Sequence, residues 1–518
     1  MIKFFFKKFI FFIFFLTPSV LAKCEFKTAQ YIEELSDPSN IKKIEIIVPS
    51  YRKYIKNFAK IISHNQKIIP SYLKKSFEAK ISVMYPFGTC KYSGTVKQHG
   101  DANLDHISFN DSKPLRSLAV SLKSGNIMNA VKFKLLLPET RNSKNEVLGS
   151  LLLKEMGFIV PETFEVFTSI NNIDNIMLFQ ENTRKELLER NKRREGPLFE
   201  GDETLIMGGE GSRSDPLELE NISLARLTNS IWFNKGKSSE LISLYAFNRL
   251  QKAFLNYANN MNLLKENYKS QYSLFSGPEK PKNFQDYYFA LLIMNGEHGL
   301  RPHNRKFYYN SFSSELEPVY YDGNLNLTQE INFIKDPKDQ KNTILKFVKK
   351  NNLKDENHYR YAFQNGYKFN LVESLNKINL NSKIYNEFKS RLYKFNLKDE
   401  DFFRRSISTL KINSKRLQEE INSQNLSSTT SIPLRESNNI YISNVKNHNV
   451  KQKNILSILS ESEKYNINFA SGEKLSLDKN ELSNILSKFS KEAKANNLLK
   501  RIVVLPLENE KLFEEFKK

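Results

Sequence analysis

The pattern of apolar and polar positions changes character several times along the chain. Within residues 23–87, YRKYIKNFAKIISHNQKII repeats its apolar positions at helical spacing, so this stretch is predicted to be a mostly helical N-terminal appendage. From residue 88 the texture turns to strands. TCKYSGTVKQHG and PLRSLAVSLKSG are short, β-branched and polar-alternating, and each ends in glycine. EVLGSLLLKEMGF then reads as a helix with an apolar face and Gly157 near its C-terminal cap. PETFEVFTSINNIDNIMLFQE reads as a hairpin turning at Asn171-Asn172. In NTRKELLERNKRREG, Asn182 or Thr183 is the expected cap of a helix that stops at Gly196.

Residues 225–298 supply further helices, including SSELISLYAFNRLQKAFLNYANN and FQDYYFALLIMNG. HNRKFYYNSFSSELEPVYYDGN follows directly, two aromatic-rich strands joined by the polar turn SFSS. A hairpin folded there returns Asn304 and Asp322 to the same end. Residues 331–422 are again helical and highly charged, 423–440 form a linker, and 441–518 a small module with a helix near 480–497 and a strand RIVVLPL. There is no internal repeat. Strands, a helix, a strand pair and a helical half over 88–330 predict a two-lobed α+β architecture.

The first 22 residues, MIKFFFKKFIFFIFFLTPSVLA, combine a basic start, an apolar run and Val20-x-Ala22 before Lys23. That is the layout of a cleaved secretory signal, with an uncleaved anchor as the alternative, and it predicts export to the periplasm, the cell envelope or the outside. No later segment is apolar enough to span a bilayer. The two cysteines, Cys24 and Cys90, either pair in an oxidising compartment or remain buried thiols. The net charge of +22 suggests an anionic partner, but the basic residues are scattered among Lys, Asn, Ile and Phe, the mixture that an A+T-biased coding sequence produces. No specific nucleic acid is expected, and an acidic envelope polymer is the better charged partner.

An amide and a carboxylate at one end of a hairpin suit Mg²⁺, a hard ion that takes one or two protein oxygens and leaves the rest of its shell to phosphate and water. Asp322-Gly323-Asn324 is equally ordinary turn chemistry. Arg141 reads as a brace pairing with a carboxylate, Arg301 and His303 as phosphate or anion contacts, and GGEGSR (208–213) as a loop without the Walker lysine. No protease, zincin or dinucleotide signature is present. Trp232 and the tyrosines read as core or sugar-stacking surface.

Several blocks occur together in order: KQHGDANLDHI, SLAVSLKSGNI, FKLLLPETRN, NEVLGSLLLKEMGF, LFQENTRKELLERNKRREGPLFEGDE, HNRKFYYN and LEPVYYDGN. Over roughly residues 88–330 they resemble the CotH-like family of spore-coat-type atypical kinases. The resemblance implies a two-lobed kinase-like fold, Mg²⁺ and ATP or another nucleotide, and a protein or cell-envelope glycan as acceptor. It implies metal ligation by Asn304 and Asp322. Phosphate neutralisation falls to Lys123, whose alternative is one solvated lysine among many. Glu181 would pair with the lysine or reach the metal, the alternative being a helix-N-terminal carboxylate. His99 and Asp101, with Asp105 and His106, match a signature read as a phosphate-covering turn or substrate contact. One departure concerns the proton acceptor. Where protein kinases place an aspartate five residues before the metal-binding asparagine, this chain has Gly299, so the base would be His298 or Glu297. A protein that keeps the site but only binds, without transfer, is the alternative.

Overall fold

The structure is a computed structural model. It describes residues 29–64, 69–101, 104, 106–110, 113–201, 225–263, 282–300, 304–334, 353–355, 369–424, 439–440, 455–461, 464–469, 474–478 and 480–481. The signal-like residues 1–22, GGEGSR, Arg301, His303, Asp105, the RIVVLPL strand and most of the 423–440 linker lie outside the described residues.

The chain opens with α1 (Ala29–Ser36), β1 (Lys43–Ile47) and α2 (Tyr51–Ile62), followed by β2 (Ser76–Tyr85) and β3 (Gly88–Gln98). A short hairpin of β4 (Ile107–Asn110) and β5 (Lys113–Arg116) precedes β6 (Leu118–Leu122) and β7 (Lys132–Leu136). Then come α3 (Lys144–Glu155), β8 (Thr163–Ile170) and β9 (Ile173–Glu181). Seven of these strands close into a barrel in the order β1-β2-β3-β6-β7-β9-β8. Closure comes from β1, whose Ile44 and Ile46 lie parallel to Thr168 and Ile170 of β8. Alternation along each strand sends one set of side chains inward, and Phe133, Phe164 and Phe179 stack there at 4.5 and 4.7 Å.

This corrects the expected fold class. A closed seven-stranded barrel is not a two-lobed kinase-like fold. It also corrects the reading of residues 23–87 as a helical appendage, since β1 and β2 come from that stretch. Helix forms there in α1 and in α2, whose Tyr54, Phe58 and Ile61 are buried. SFEAKISVMY alternates as a strand and pairs with β3 over ten residues.

Other expectations hold. The β8–β9 hairpin turns at Asn171 and Asn172, both with positive φ, the geometry of a tight two-residue turn. Gly157 has φ 85° just beyond α3. The helix expected after Glu181 is shorter, α4 (Lys185–Arg190), and neither Asn182 nor Thr183 caps it, because Arg184 holds that position.

A second sheet is built from β10 (Leu198–Gly201), β11 (Ala225–Leu227), β12 (Lys306–Asn310) and β13 (Glu315–Val319), ordered β11-β10-β12-β13. Between β11 and β12 run the helices Ser230–Phe233, Lys237–Leu263 and Lys282–Ile293. Helix α3 is buried over eight consecutive residues, from Glu146 to Leu153, because the barrel and the helical half cover it on all sides. Helices Asn370–Lys377, Lys383–Ser390 and Leu397–Gln424 continue the same core, with Phe289 stacked on Phe369 at 3.8 Å. Arg391 ties them back to the barrel through Glu162, which also accepts from Arg190. Short strands within 439–477 pair in a separate sheet. No helix among the described residues is long and apolar enough to cross a membrane.

Candidate functional site

The hairpin of β12 and β13 forms as its pattern predicts. Lys306 faces Val319 and Asn310 faces Glu315, so the register carries Asn304 and Asp322 to the same open end. Both are buried or nearly so, and both flank His298, which lies in a 3-10 turn over Glu297–Leu300. Asn304 Nδ2 donates to the His298 carbonyl at 2.9 Å, and His298 Nε2 stands 3.7 Å from the Asp322 carboxylate.

What holds Asp322 comes from the barrel side. After β7 the chain makes a 3-10 turn, Pro138–Arg141, and then enters α3 through Asn142 and Ser143, both with positive φ. Arg141 Nη2 lies 3.0 Å from Asp322 Oδ2. Asn142 Nδ2 donates to the Asn324 side chain and to the Leu325 carbonyl, each at 2.9 Å, and Leu327 N–H donates to Asn145 Oδ1 at 2.8 Å. Tyr320 donates its hydroxyl proton to Glu146 at 2.6 Å. Five contacts, made by Arg141, Asn142, Asn145 and Glu146, therefore clamp loop 320–327 onto the start of α3. Leu325 closes the joint by filling a slot that Gly149, Gly296 and Gly323 leave open.

This surrounding sets the charges. Arg141, the His298 side chain and Lys134 together hold the Asp322 carboxyl well below the usual carboxylate range against the opposing effect of burial. Burial raises Glu146 to about 7, although hydrogen bonds from Tyr320 and Gln180 favour its charged form. Lys134, in β7, is buried under Tyr321. Its ammonium donates to the Tyr321 hydroxyl at 3.1 Å, and Lys306 lies over the same ring at 4.0 Å. Burial, with Lys306 and Arg141 as neighbouring cations, lowers Lys134 to about 7. Lys306 is neutralised in part by Glu200 at 2.8 Å. His99 and His106 meet edge to face at 5.1 Å beside this cluster, and burial keeps both neutral.

Three of the residues expected at the site, Lys123, Glu181 and Asp101, are engaged elsewhere. Lys123 pairs with Glu78 at 2.5 Å on an exposed surface. It lies four residues beyond Ala119, the β6 neighbour of Lys134, about 13 Å along the strand. The lysine that the site does contain is Lys134. Its signal was the next strand, VKFKLLL, where Lys134 is set between Phe133 and three consecutive leucines. Glu181 is buried but spent on Arg190, alongside Glu162, and braces α4 against the barrel. Asp101 pairs with Lys74 at 2.5 Å. His99 is in the neighbourhood of Lys134 and Arg141, and its carbonyl accepts from Arg116 at 2.8 Å. Arg141 is the carboxylate brace that its sequence context suggested.

Gly299 has a packing reason. A Cβ there would lie 3.1 Å from the Tyr321 carbonyl oxygen and 3.2 Å from Gly323 Cα, so any side chain at this position presses on the Asp-Gly-Asn loop. Among the described residues no cluster of three or more His, Cys, Asp or Glu side chains is arranged as a metal cage. Asn304 and Asp322 still offer two hard oxygen donors, a set that fits a Mg²⁺ keeping most of its shell as water and phosphate.

No protein-family model and no curated protein sequence matches the chain.

Proposed function

We propose that the chain is a phosphotransferase that holds a phosphate-bearing donor, in the first instance a nucleotide, and moves its phosphoryl group to a hydroxyl of a protein or cell-envelope glycan. The observation that carries this reading is the buried Lys134 ammonium beside Arg141 and Asp322. Burial strips that lysine of water and lowers its affinity for a proton, and an incoming phosphate is the group that would restore its charge. The order of sequence blocks resembling the CotH-like family supports the same chemistry, and no kinase fold is needed for it.

In this reading Lys134 and Arg141 take the donor's phosphate oxygens. His298, at the mouth beside Asp322, accepts the proton of the attacking hydroxyl, and ionised Asp322 stabilises the imidazolium that results. The hydroxyl oxygen bonds to phosphorus as the bond to the leaving phosphate breaks, and that phosphate departs with the electron pair beside the two cations. A Mg²⁺ ion would be held by Asn304 and Asp322 and would supply charge neutralisation for phosphate oxygens. Cys90 is disulfide-bonded, and Cys24 is the other cysteine of the sequence. That bond supports an exported protein.

A second reading is favoured by the Arg141–Asp322 pair, which already occupies the carboxylate that a metal would use. In it the same cations bind an anionic envelope polymer and nothing is transferred. Calorimetric titration of ATP with and without Mg²⁺, followed by phosphate transfer to envelope fractions, separates the two. The enzyme reading expects Mg²⁺-dependent binding that is lost in Asp322→Asn and Lys134→Met. A folded protein that binds neither nucleotide nor Mg²⁺ but retains an acidic polymer would establish the second reading instead.

A further inference from the structure

At the far end of the β12–β13 hairpin from Asn304 and Asp322, the turn carries an exposed aromatic residue next to two arginines. Phe312 is 73% exposed, and the Arg194 guanidinium lies 4.7 Å over its ring. Arg249, from the helix Lys237–Leu263, donates to the Ser314 carbonyl and lies over Tyr245 and Tyr309 at 5.8 and 6.0 Å. Leu241, Tyr245 and Arg249 stand four residues apart and are all exposed, so one stripe of that helix leads to the turn.

The surrounding backbone holds these side chains in place. Phe312 N–H donates to Asn310 Oδ1 at 3.1 Å, and Ser314 has φ 56° in the turn. The segment carrying Arg194 is fastened to β13 by Arg193, whose Nε and Nη2 meet Glu317 at 2.8 and 2.7 Å. Gly196 lets that segment approach β12, since a Cβ there would lie 2.9 Å from the Tyr308 ring. Glu317 and Glu195 are thus neutralised by Arg193 and Lys235. Exposed Glu315 remains against exposed Lys192, Arg194 and Arg249, an excess of positive charge. Among the described residues neither Arg194 nor Arg249 pairs with a carboxylate, and each lies over a ring instead.

A guanidinium seated on a ring keeps N–H groups at its edge for an anion, and its fork matches a carboxylate. The exposed aromatic faces offer apolar contact to another flat surface. A sugar ring bearing a carboxylate supplies both, and repetition along a chain suits two arginine–aromatic pairs on one surface. An acidic peptide supplies the charge without the ring face. Single-stranded nucleic acid supplies rings and charge, but the Cys90 disulfide supports an exported chain, which meets acidic polysaccharide first. We propose that the surface around Phe312, Tyr245, Arg194 and Arg249 binds a carboxylate-bearing polysaccharide, with sugar rings on the aromatic faces and carboxylates on the guanidinium forks. The proposal does not rest on phosphoryl transfer, because the five-residue strands of the hairpin hold the turn about 16 Å from its open end.

Calorimetry on the full chain tests it with polygalacturonate oligosaccharides, their methyl esters, polyglutamate and single-stranded DNA. The polygalacturonate should bind, with affinity falling as salt is added, and the methyl ester should bind on the order of tenfold more weakly. Arg194→Gln should weaken polygalacturonate on the order of tenfold and Phe312→Ser about fivefold. Both side chains are exposed, so the melting temperature should not move. Lys134→Met should leave polygalacturonate affinity unchanged, which separates this surface from the buried cations. No binding by the wild type, or binding that survives both Arg194→Gln and Phe312→Ser, would overturn the proposal. Equal affinity for polyglutamate would reduce the surface to charge alone, and tighter binding of DNA would assign it to nucleic acid. A loss in Lys134→Met would move the polymer to the buried site, and each of these three results also overturns the proposal.

Discussion

Replacing Lys134 by methionine should make the protein more stable at neutral pH while abolishing ligand binding. The lysine is lowered from 10.5 to about 7 in the folded chain, chiefly by burial. The unfolded chain therefore binds more protons than the folded one between these values, and stability rises with pH across that window. At about 1.4 kcal/mol per unit, the buried ammonium costs on the order of 4–5 kcal/mol at and below pH 7, a cost that fades toward pH 10.5. Methionine fills a similar volume without the charge. It forfeits the hydrogen bond to the Tyr321 hydroxyl and the contact with its ring, together about 1–2 kcal/mol. A net gain of about 3 kcal/mol is expected at pH 7, shrinking by about 1.4 kcal/mol per unit between pH 7.5 and 9.5. Urea denaturation of both proteins across pH 6 to 9.5 reads the difference directly, because other titrating groups are common to both. A variant less stable than the wild type at pH 7, or a difference that does not change with pH, would refute the claim that Lys134 is a desolvated cation held for a ligand.

Gly149→Ala would bring a Cβ within 2.1 Å of Leu325 Cδ1, so about 1–3 kcal/mol of stability should be lost, and Leu325→Ala in the same chain should return less than additive damage by thermal melting. Arg391→Met leaves buried Glu162 paired with Arg190 but without its second arginine; a loss on the order of 3 kcal/mol is expected in urea denaturation, and Glu162→Gln in the Arg391→Met background should recover part of it. Reducing the Cys90 disulfide should lower stability by about 2–4 kcal/mol, visible as a fall in Tm with dithiothreitol, whereas an unchanged Tm would show the bond to be dispensable. Gly299→Asp should destabilise the protein without creating transfer activity, because the added side chain displaces the Asp-Gly-Asn loop; a stable and more active variant would contradict that packing account.

Features that depend on neighbours along the chain were legible from the amino-acid order. Period-two alternation and an Asn-Asn turn were enough for the β8–β9 hairpin, and the aromatic strands around SFSS set the register that brings Asn304 and Asp322 together. Helical spacing and Gly157 fixed α3 and its end. Tertiary structure decided everything that joins distant segments. Ile44 and Ile46 read as ordinary apolar residues near a helix, and only their parallel pairing with β8, more than 120 positions away, closes the sheet into a barrel. Lys123 and Lys134 both end or punctuate strands in the same basic texture, and what separates them is cover. One meets Glu78 in solvent, and the other lies under Tyr321 among Arg141, Asp322 and Lys306. Burial, which changes the cost of a charge by several kcal/mol, is a property of what packs above a residue, and local spacing along the chain does not encode it.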